Sequence, residues 1–150
     1  MLPFGHDTDQ IPPDMQLHAS CAARNGDGVL LLGPPGSGKS DLLLRLLDHG
    51  FDLVADDRVE IDGALGAAPR ALAGLIEVRG IGILRLPYLA KARLALAVEM
   101  GRSERLPEPE TRFGLPLLRI DPAQASAPAR IAAALRCLRG DVTLVAGALA

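Results

Sequence analysis

The sequence predicts an α/β domain whose sheet is mixed and partly antiparallel, built around a loop that cradles phosphate. Three observations carry that prediction. An apolar strand at 29–32 runs directly into Gly33-Pro34-Pro35-Gly36-Ser37-Gly38-Lys39-Ser40 and then into a Leu-rich helix. Before that strand, residues 15–24 alternate with period two, the mark of a half-buried strand. After the helix come several short apolar runs separated by glycine turns, which read as further strands.

The elements follow in order. Residues 1–14 (MLPFGHDTDQIPPD) are acidic and broken by proline, the reverse of a signal peptide, and read as a flexible arm. The domain proper is expected at 15–150. Met15, Leu17, Ala19, Cys21 and Ala23 share one face of the first strand, and Gln16, His18, Ser20, Ala22 and Arg24 the other. Asn25-Gly26-Asp27-Gly28 is a turn signal, so 15–32 reads as an antiparallel hairpin. Centring it between Gly26 and Asp27 puts His18 opposite Pro35, at the start of the glycine-rich loop. A helix at 40–49 stops at Gly50. A strand at 53–55 ends in Asp56-Asp57, and another at 59–61 leads to an Asp62-Gly63 turn. Strands at 75–78 and 83–86 flank Arg79-Gly80-Ile81-Gly82, and 94–98 is a further strand. Residues 101–113 (GRSERLPEPETRF) are charged and proline-bearing, as an exposed loop should be. An edge strand is expected at 117–120. Ser126 can cap a last helix that has Pro128 in its first turn, Ile131, Leu135 and Leu138 on one face, and Gly140 at its end.

Composition bounds the function. The 150 residues are 49% apolar, enough for one core, and 16 Lys plus Arg against 18 Asp plus Glu leave a net charge of -2. Such a balance makes no basic field for nucleic acid, and 3% aromatic residues with no Trp make no base-stacking platform. No apolar run approaches the ~18 residues of a membrane span. Cys21 and Cys137 form neither a disulfide framework nor a zinc spacing, which points to a reduced, cytoplasmic setting. Cys21 falls on the apolar alternation and reads as a core thiol.

The loop at 33–40 fits G-x-x-x-x-G-K-[ST] without a mismatch, between a strand and a helix as that motif requires. Its glycines let backbone N–H groups turn inward around phosphate oxygens. Lys39 brings a positive charge to the β- and γ-phosphates, the Ser40 hydroxyl can ligate Mg²⁺, and the helix that begins here points its positive end at the anion. The expected ligands are therefore ATP and Mg²⁺. Asp56-Asp57 closes a strand just downstream. A carboxylate there can hold Mg²⁺ or take a proton from an attacking hydroxyl, and neighbours on a strand face opposite ways, so the two should divide those roles. A helix cap or a solvated turn is the plain alternative. Glu77, inside an apolar strand, is either a metal ligand or a solvent-facing partner of Arg79. His18 is either a structural polar-face residue or, given its register, part of the site.

Taken together, His18, Lys39 twenty-one residues on, Leu53-Val54-Ala55-Asp56-Asp57-Arg58-Val59 and Ile76-Glu77-Val78-Arg79-Gly80-Ile81-Gly82-Ile83 resemble the C-terminal catalytic domain of HPr kinase/phosphorylase. The resemblance covers residues 17–86 and fades beyond Pro87. It implies a phosphoenolpyruvate carboxykinase-like fold and ATP- and Mg²⁺-dependent phosphorylation of a serine on HPr, a phosphocarrier of the phosphotransferase system. The family also runs the reverse task, in which phosphate attacks phosphoserine and releases pyrophosphate. By matching position it makes Asp57 the general base and Lys39 the phosphate-neutralising cation. Ser40 and Glu77 become the metal ligands, His18 a supporting catalytic residue and Asp56 a neighbouring acid, with Arg79, Gly80 and Gly82 in a supporting loop. Hexameric assembly is implied as well, and the chain reads as a short form without the family's N-terminal domain. Two rival classes stand beside this reading. One is a non-catalytic ATP sensor that signals through a partner. The other is a small-molecule kinase whose lid would draw on Arg102, Arg105 and Arg112.

Overall fold

A computed structural model describes residues 15–150; the arm expected at 1–14 lies outside the described residues. The strands are β1 (Met15–Leu17), β2 (Ser20–Arg24), β3 (Asp27–Leu32), β4 (Asp52–Ala55), β5 (Val59–Asp62), β6 (Leu65–Ala67), β7 (Leu75–Val78), β8 (Gly82–Arg85), β9 (Ala92–Met100), β10 (Thr111–Arg112) and β11 (Leu115–Ile120). The helices are α1 (Lys39–Asp48) and α2 (Ala127–Arg139). The main sheet runs β1-β5-β6-β9-β3-β2-β4, with β11 beside the end of β9 and β10 beside β11. β9 pairs in parallel with β3 and β11, and the other pairings are antiparallel. The mixed, partly antiparallel sheet is thus as expected.

The hairpin before the loop forms, with its register corrected. Arg24 pairs with Asp27 and Ser20 with Leu31, so the turn is centred between Asn25 and Gly26, not between Gly26 and Asp27. Both turn residues have positive φ, 52° and 82°, as a two-residue turn matching the strand twist demands. Asn-Gly is the dipeptide that adopts this most readily, and it outcompetes the later alternatives in Asn25-Gly26-Asp27-Gly28. His18 consequently does not stand opposite Pro35. The single strand expected from residue 15 is also two strands, because β1 pairs with β5 whereas β2 pairs with β3 and β4.

That break has a purpose in the fold. β1 and β4 lie at opposite ends of the strand order, yet β1 joins β2 through His18 and Ala19 alone, and β4 joins β5 through residues 56–58. Trans-linked Cα atoms are only ~3.8 Å apart, so such short links force the two ends of the sheet together. Met15 pairs with Ile61 and Cys21 with Ala55 in one continuous register, interrupted only where both chains bend. The two bends face each other. His18, Ser20, Asp56 and Asp57 all sit there.

Period-two alternation divides the core between the sheet's faces. Leu17, Ala19, Cys21, Ala23, Leu30, Leu32, Val59 and Ile61 pack with Phe113, Leu115 and Leu117 on the face that no helix covers among the described residues. Its many alanines leave room for a tightly curled sheet. Ala22, Val29, Leu31, Leu96 and Val98 line the other face, beneath Leu42, Leu43 and Leu46 of α1 and Ile131 and Leu135 of α2. A bulge in β9, where Gly28 pairs with Leu94 but Val29 with Leu96, moves the strand's apolar set from one face to the other. Burial pushes the Cys21 thiol up to about 12, so it is a neutral core side chain.

Smaller departures have local causes. β6 was not foreseen, because Leu-Gly-Ala carries no apolar run; it is held by β5 and by the start of β9. β9 is longer than the strand expected at 94–98. Ser126 precedes α2 but makes no side-chain cap bond, and Leu138 is partly exposed while Ala134 is buried in its place. Gly140 ends α2 in a left-handed conformation, as expected. Asp27, buried at the start of β3, accepts from Arg93 and Arg139, each at 3.1 Å, which ties the ends of β3, β9 and α2 together. Among the described residues no helix is long and apolar enough to cross a membrane.

Candidate active site

The glycine-rich loop leaves the carboxyl end of β3, beside the carboxyl ends of the parallel strands β9 and β11, where open α/β sheets place their ligands. Its conformation is tight. Lys39 is buried and donates to the carbonyls of Gly33 (2.5 Å) and Pro34 (3.0 Å), so its ammonium lies across the loop's opening. A Cβ on Gly33 would fall 2.6 Å from the Ser37 hydroxyl, and one on Gly38 2.9 Å from Pro122. Gly38 also has φ +102°, which l side chains rarely adopt. Among the described residues the buried Ser37 hydroxyl has no partner. An orphaned donor, a gathered ammonium and a loop with no space for a side chain at Gly33 or Gly38 fit an anion with several oxygens.

Asp56 is the hub of the site. It is buried at the end of β4, and its Oδ1 accepts from Ser40 (2.8 Å) and Ser20 (3.0 Å), while its Oδ2 accepts from the Glu77 backbone N–H (3.3 Å). The first turn of α1, β2 and β7 are thereby fastened to one carboxyl group. Ser20 also accepts from the backbone N–H of Asp57 at 3.3 Å. Asp57 has φ 71°, and the Arg58 N–H closes a three-residue turn onto the Asp56 carbonyl at 2.8 Å. That backbone is costly for a non-glycine residue, and such strain recurs at functional sites. The turn separates the two acids as the sequence led us to expect: Asp56 points inward and Asp57 outward. The exposed Asp57 carboxyl lies 3.4 Å from Nδ1 of His18, itself half exposed.

His18, Asp57, Ser20, Asp56 and Ser40 therefore form one chain of contacts, and Lys39 precedes Ser40 with its ammonium held on the Gly33 and Pro34 carbonyls instead. Glu77 joins the chain of contacts through its backbone, and its side chain is exposed. Arg79 and Gly80 lie in the β7–β8 turn, where Ile81 N–H bonds the Val78 carbonyl, Gly82 opens β8, and Ile81 and Ile83 are exposed. A divalent ion fits the hard oxygen donors Ser40 and Asp56. Among the described residues no three His, Cys, Asp or Glu side chains are arranged to cage a metal, so phosphate oxygens would have to complete the shell.

Three contributors were not singled out from the sequence. Ser20 is the buried link between the aspartates, and a lone serine on a polar face gives no signal. Arg45 donates to the Asp41 carboxylate and to the carbonyls of Pro122 and Gln124, holding the turn after β11 against Gly38. Glu99, at the end of β9, accepts from Arg112 and Arg119, each at 3.3 Å. Arg119 also donates to Glu110; that hydrogen bond, with the neighbouring carboxylate charges, raises its pKa further.

Residues 9–93, more than half of the chain, match the family model described as HPr Serine kinase C-terminal domain. The chain belongs to that family. An HPr kinase/phosphorylase from Clostridium botulinum (strain Eklund 17B / Type B) is 40% identical over 85 residues, 54% of this chain and 28% of the relative. One from Caldanaerobacter subterraneus subsp. tengcongensis is 44% identical over 86 residues, with the same shares. The chain thus spans about 28% of the length of these HPr kinase relatives. A solved structure, the HPr(Ser) kinase/phosphatase from Coxiella burnetii, superposes with a TM-score of 0.70 at 26% identity, covering 85% of this chain and 92% of that one. The likeness of fold extends well past residue 93, where the sequence match stops.

Proposed function

We propose that this domain transfers the γ-phosphoryl group of ATP to a serine hydroxyl on an HPr-type phosphocarrier protein. The observation that carries the reading is the unbroken set of contacts from the loop's Ser40 through Asp56 and Ser20 to the Asp57–His18 pair. One end of that set belongs to the phosphate loop, and the other is open to a protein surface. Phosphoryl transfer asks for positioning and charge neutralisation rather than covalent chemistry, and a rigid hub supplies both.

Lys39 would exchange its loop carbonyls for phosphate oxygens, and the Ser37 hydroxyl and the loop N–H groups would take the rest. Ser40 and Asp56, with Glu77 beside them, are the residues to hold Mg²⁺, which when bound offsets phosphate charge. Asp57 is the base that accepts the proton of the incoming serine, and His18, within 3.4 Å, orients that carboxylate. The acceptor class rests on the family. So do a phosphoenolpyruvate carboxykinase-like fold, a cytoplasmic setting, hexameric assembly and the reverse, pyrophosphate-releasing reaction.

The test is steady-state turnover of ATP with HPr-type carriers, for the wild type and Asp57→Asn. Loss of a general base should lower kcat by ~10²–10⁴-fold. Binding of a fluorescent ATP analogue should stay within a few-fold, because Asp57 makes no contact with the phosphate loop. Undiminished kcat in Asp57→Asn removes the base assignment. Tight nucleotide binding with no carrier phosphorylated by the wild type turns the reading toward a nucleotide sensor.

A further inference from the structure

Beside the Asp57–His18 pair lies a cavity of about 390 Å³, lined by His18, Gly33, Pro34, Glu99, Arg112 and Phe113 together with Leu17, Leu32 and Met100. It opens on the first residues of the phosphate loop, whose carbonyls hold Lys39. One wall carries the imidazole paired with Asp57. Another carries a guanidinium that the sequence places in an exposed charged loop.

Arg112 is delivered there by β10, which pairs with β11 and so lies beside the end of β9. Its Nη1 donates to Glu99 at 3.3 Å, and its guanidinium stacks 5.1 Å from the Phe113 ring. Phe113 holds a positive φ of 55°, with its ring buried, so the turn that aims Arg112 is anchored in the core. A guanidinium has five N–H donors, and among the described residues Arg112 uses one. Other cations are worse placed. Arg93 is bound to Asp27 at the opposite end of β9, six residues from Glu99 and so ~20 Å along the strand. Arg102 and Arg105 line a different, larger groove under the 101–110 loop.

We propose that this cavity admits the acceptor hydroxyl, and that Arg112 binds the transferring phosphoryl group on the side away from Lys39. The inference rests on the kinase reading above. In the step, the serine oxygen forms a bond to the γ-phosphorus and the bond from that phosphorus to the β–γ bridging oxygen breaks. Its electron pair leaves with ADP, and the serine proton passes to Asp57. Charge spreads over three equatorial oxygens, and a donor fork held by Glu99 is preorganised to meet them. Arg112 is thereby a catalytic residue rather than a ligand for the ground-state nucleotide.

The test compares wild type, Arg112→Gln and Arg112→Lys in two measurements. In carrier phosphorylation, Arg112→Gln should lose roughly 10²-fold in kcat with little change in KM for ATP, and Arg112→Lys should recover part of it. In retention of a fluorescent ADP with aluminium fluoride and Mg²⁺, a mimic of the planar phosphoryl group, wild type should trap the complex and Arg112→Gln should release it. ADP alone should bind all three alike. Equal kcat and equal trapping in Arg112→Gln overturn the proposal. A thermal midpoint lowered in Arg112→Gln but not in Arg112→Lys, with both losing activity equally, overturns it too, because misfolding then fails to explain the loss and so does charge. An inactive wild type that still traps the mimic only with Arg112 intact retains this site and removes the kinase reading instead.

Discussion

Ser20 carries more of the site than its chemistry suggests. Its hydroxyl is fully buried, donates to Asp56 and accepts from the Asp57 N–H, so it sets both the inward acid and the strained turn that turns the next acid outward. Ser20→Ala leaves a buried carboxyl oxygen and a backbone N–H each short of a partner. The expected cost is ~1–3 kcal/mol in urea unfolding, with kcat reduced while nucleotide affinity is largely kept. At this scale the sequence was legible in part. Lys39, Ser40 and the two aspartates announce themselves by a motif or by acid at a strand end. Ser20, Arg45 and Glu99 do not, because each matters through a partner 36 or more residues away, or through the end of a strand whose neighbours are unknown until the fold is seen.

Among the elements, the strand–loop–helix unit at 29–48 was the clearest to read and is the most constrained. Gly38 must hold φ +102° and must also leave room for Pro122, which Arg45 presses against it through the carbonyls of Pro122 and Gln124. Gly38→Ala meets both obstacles at once. It should cost at least ~1–2 kcal/mol from the backbone alone and weaken Mg·ATP binding more than tenfold in calorimetric titration. Near-normal affinity would mean that the loop binds phosphate in some other conformation. The hairpin before the loop was harder. Asn25-Gly26-Asp27-Gly28 offers several turn centres, and each shift moves every later pairing. The alternation from Met15 to Ala23 was real, since its apolar face packs into one core while the other face gives Ala22 to the second core, yet alternation does not reveal that the chain changes partners at His18.

For the molecule as a whole, the curled sheet explains why the glycine-rich loop and the exposed acid Asp57 come to share one hub. The bends at residues 18–19 and 56–58 exist because the two ends of the strand order must be joined, and the side chains of the candidate site occupy those bends. The link was invisible in the sequence, where the two segments are nearly forty residues apart. The central claim is that this arrangement carries a phosphoryl group from nucleotide to serine. Its most direct test is mass-spectrometric mapping of an HPr-type carrier after incubation with the protein and Mg·ATP. A single modified serine, absent with Asp57→Asn and absent when EDTA removes the metal, is the predicted result. A carrier left unmodified by a protein that binds Mg·ATP, or one modified on histidine instead, would contradict it.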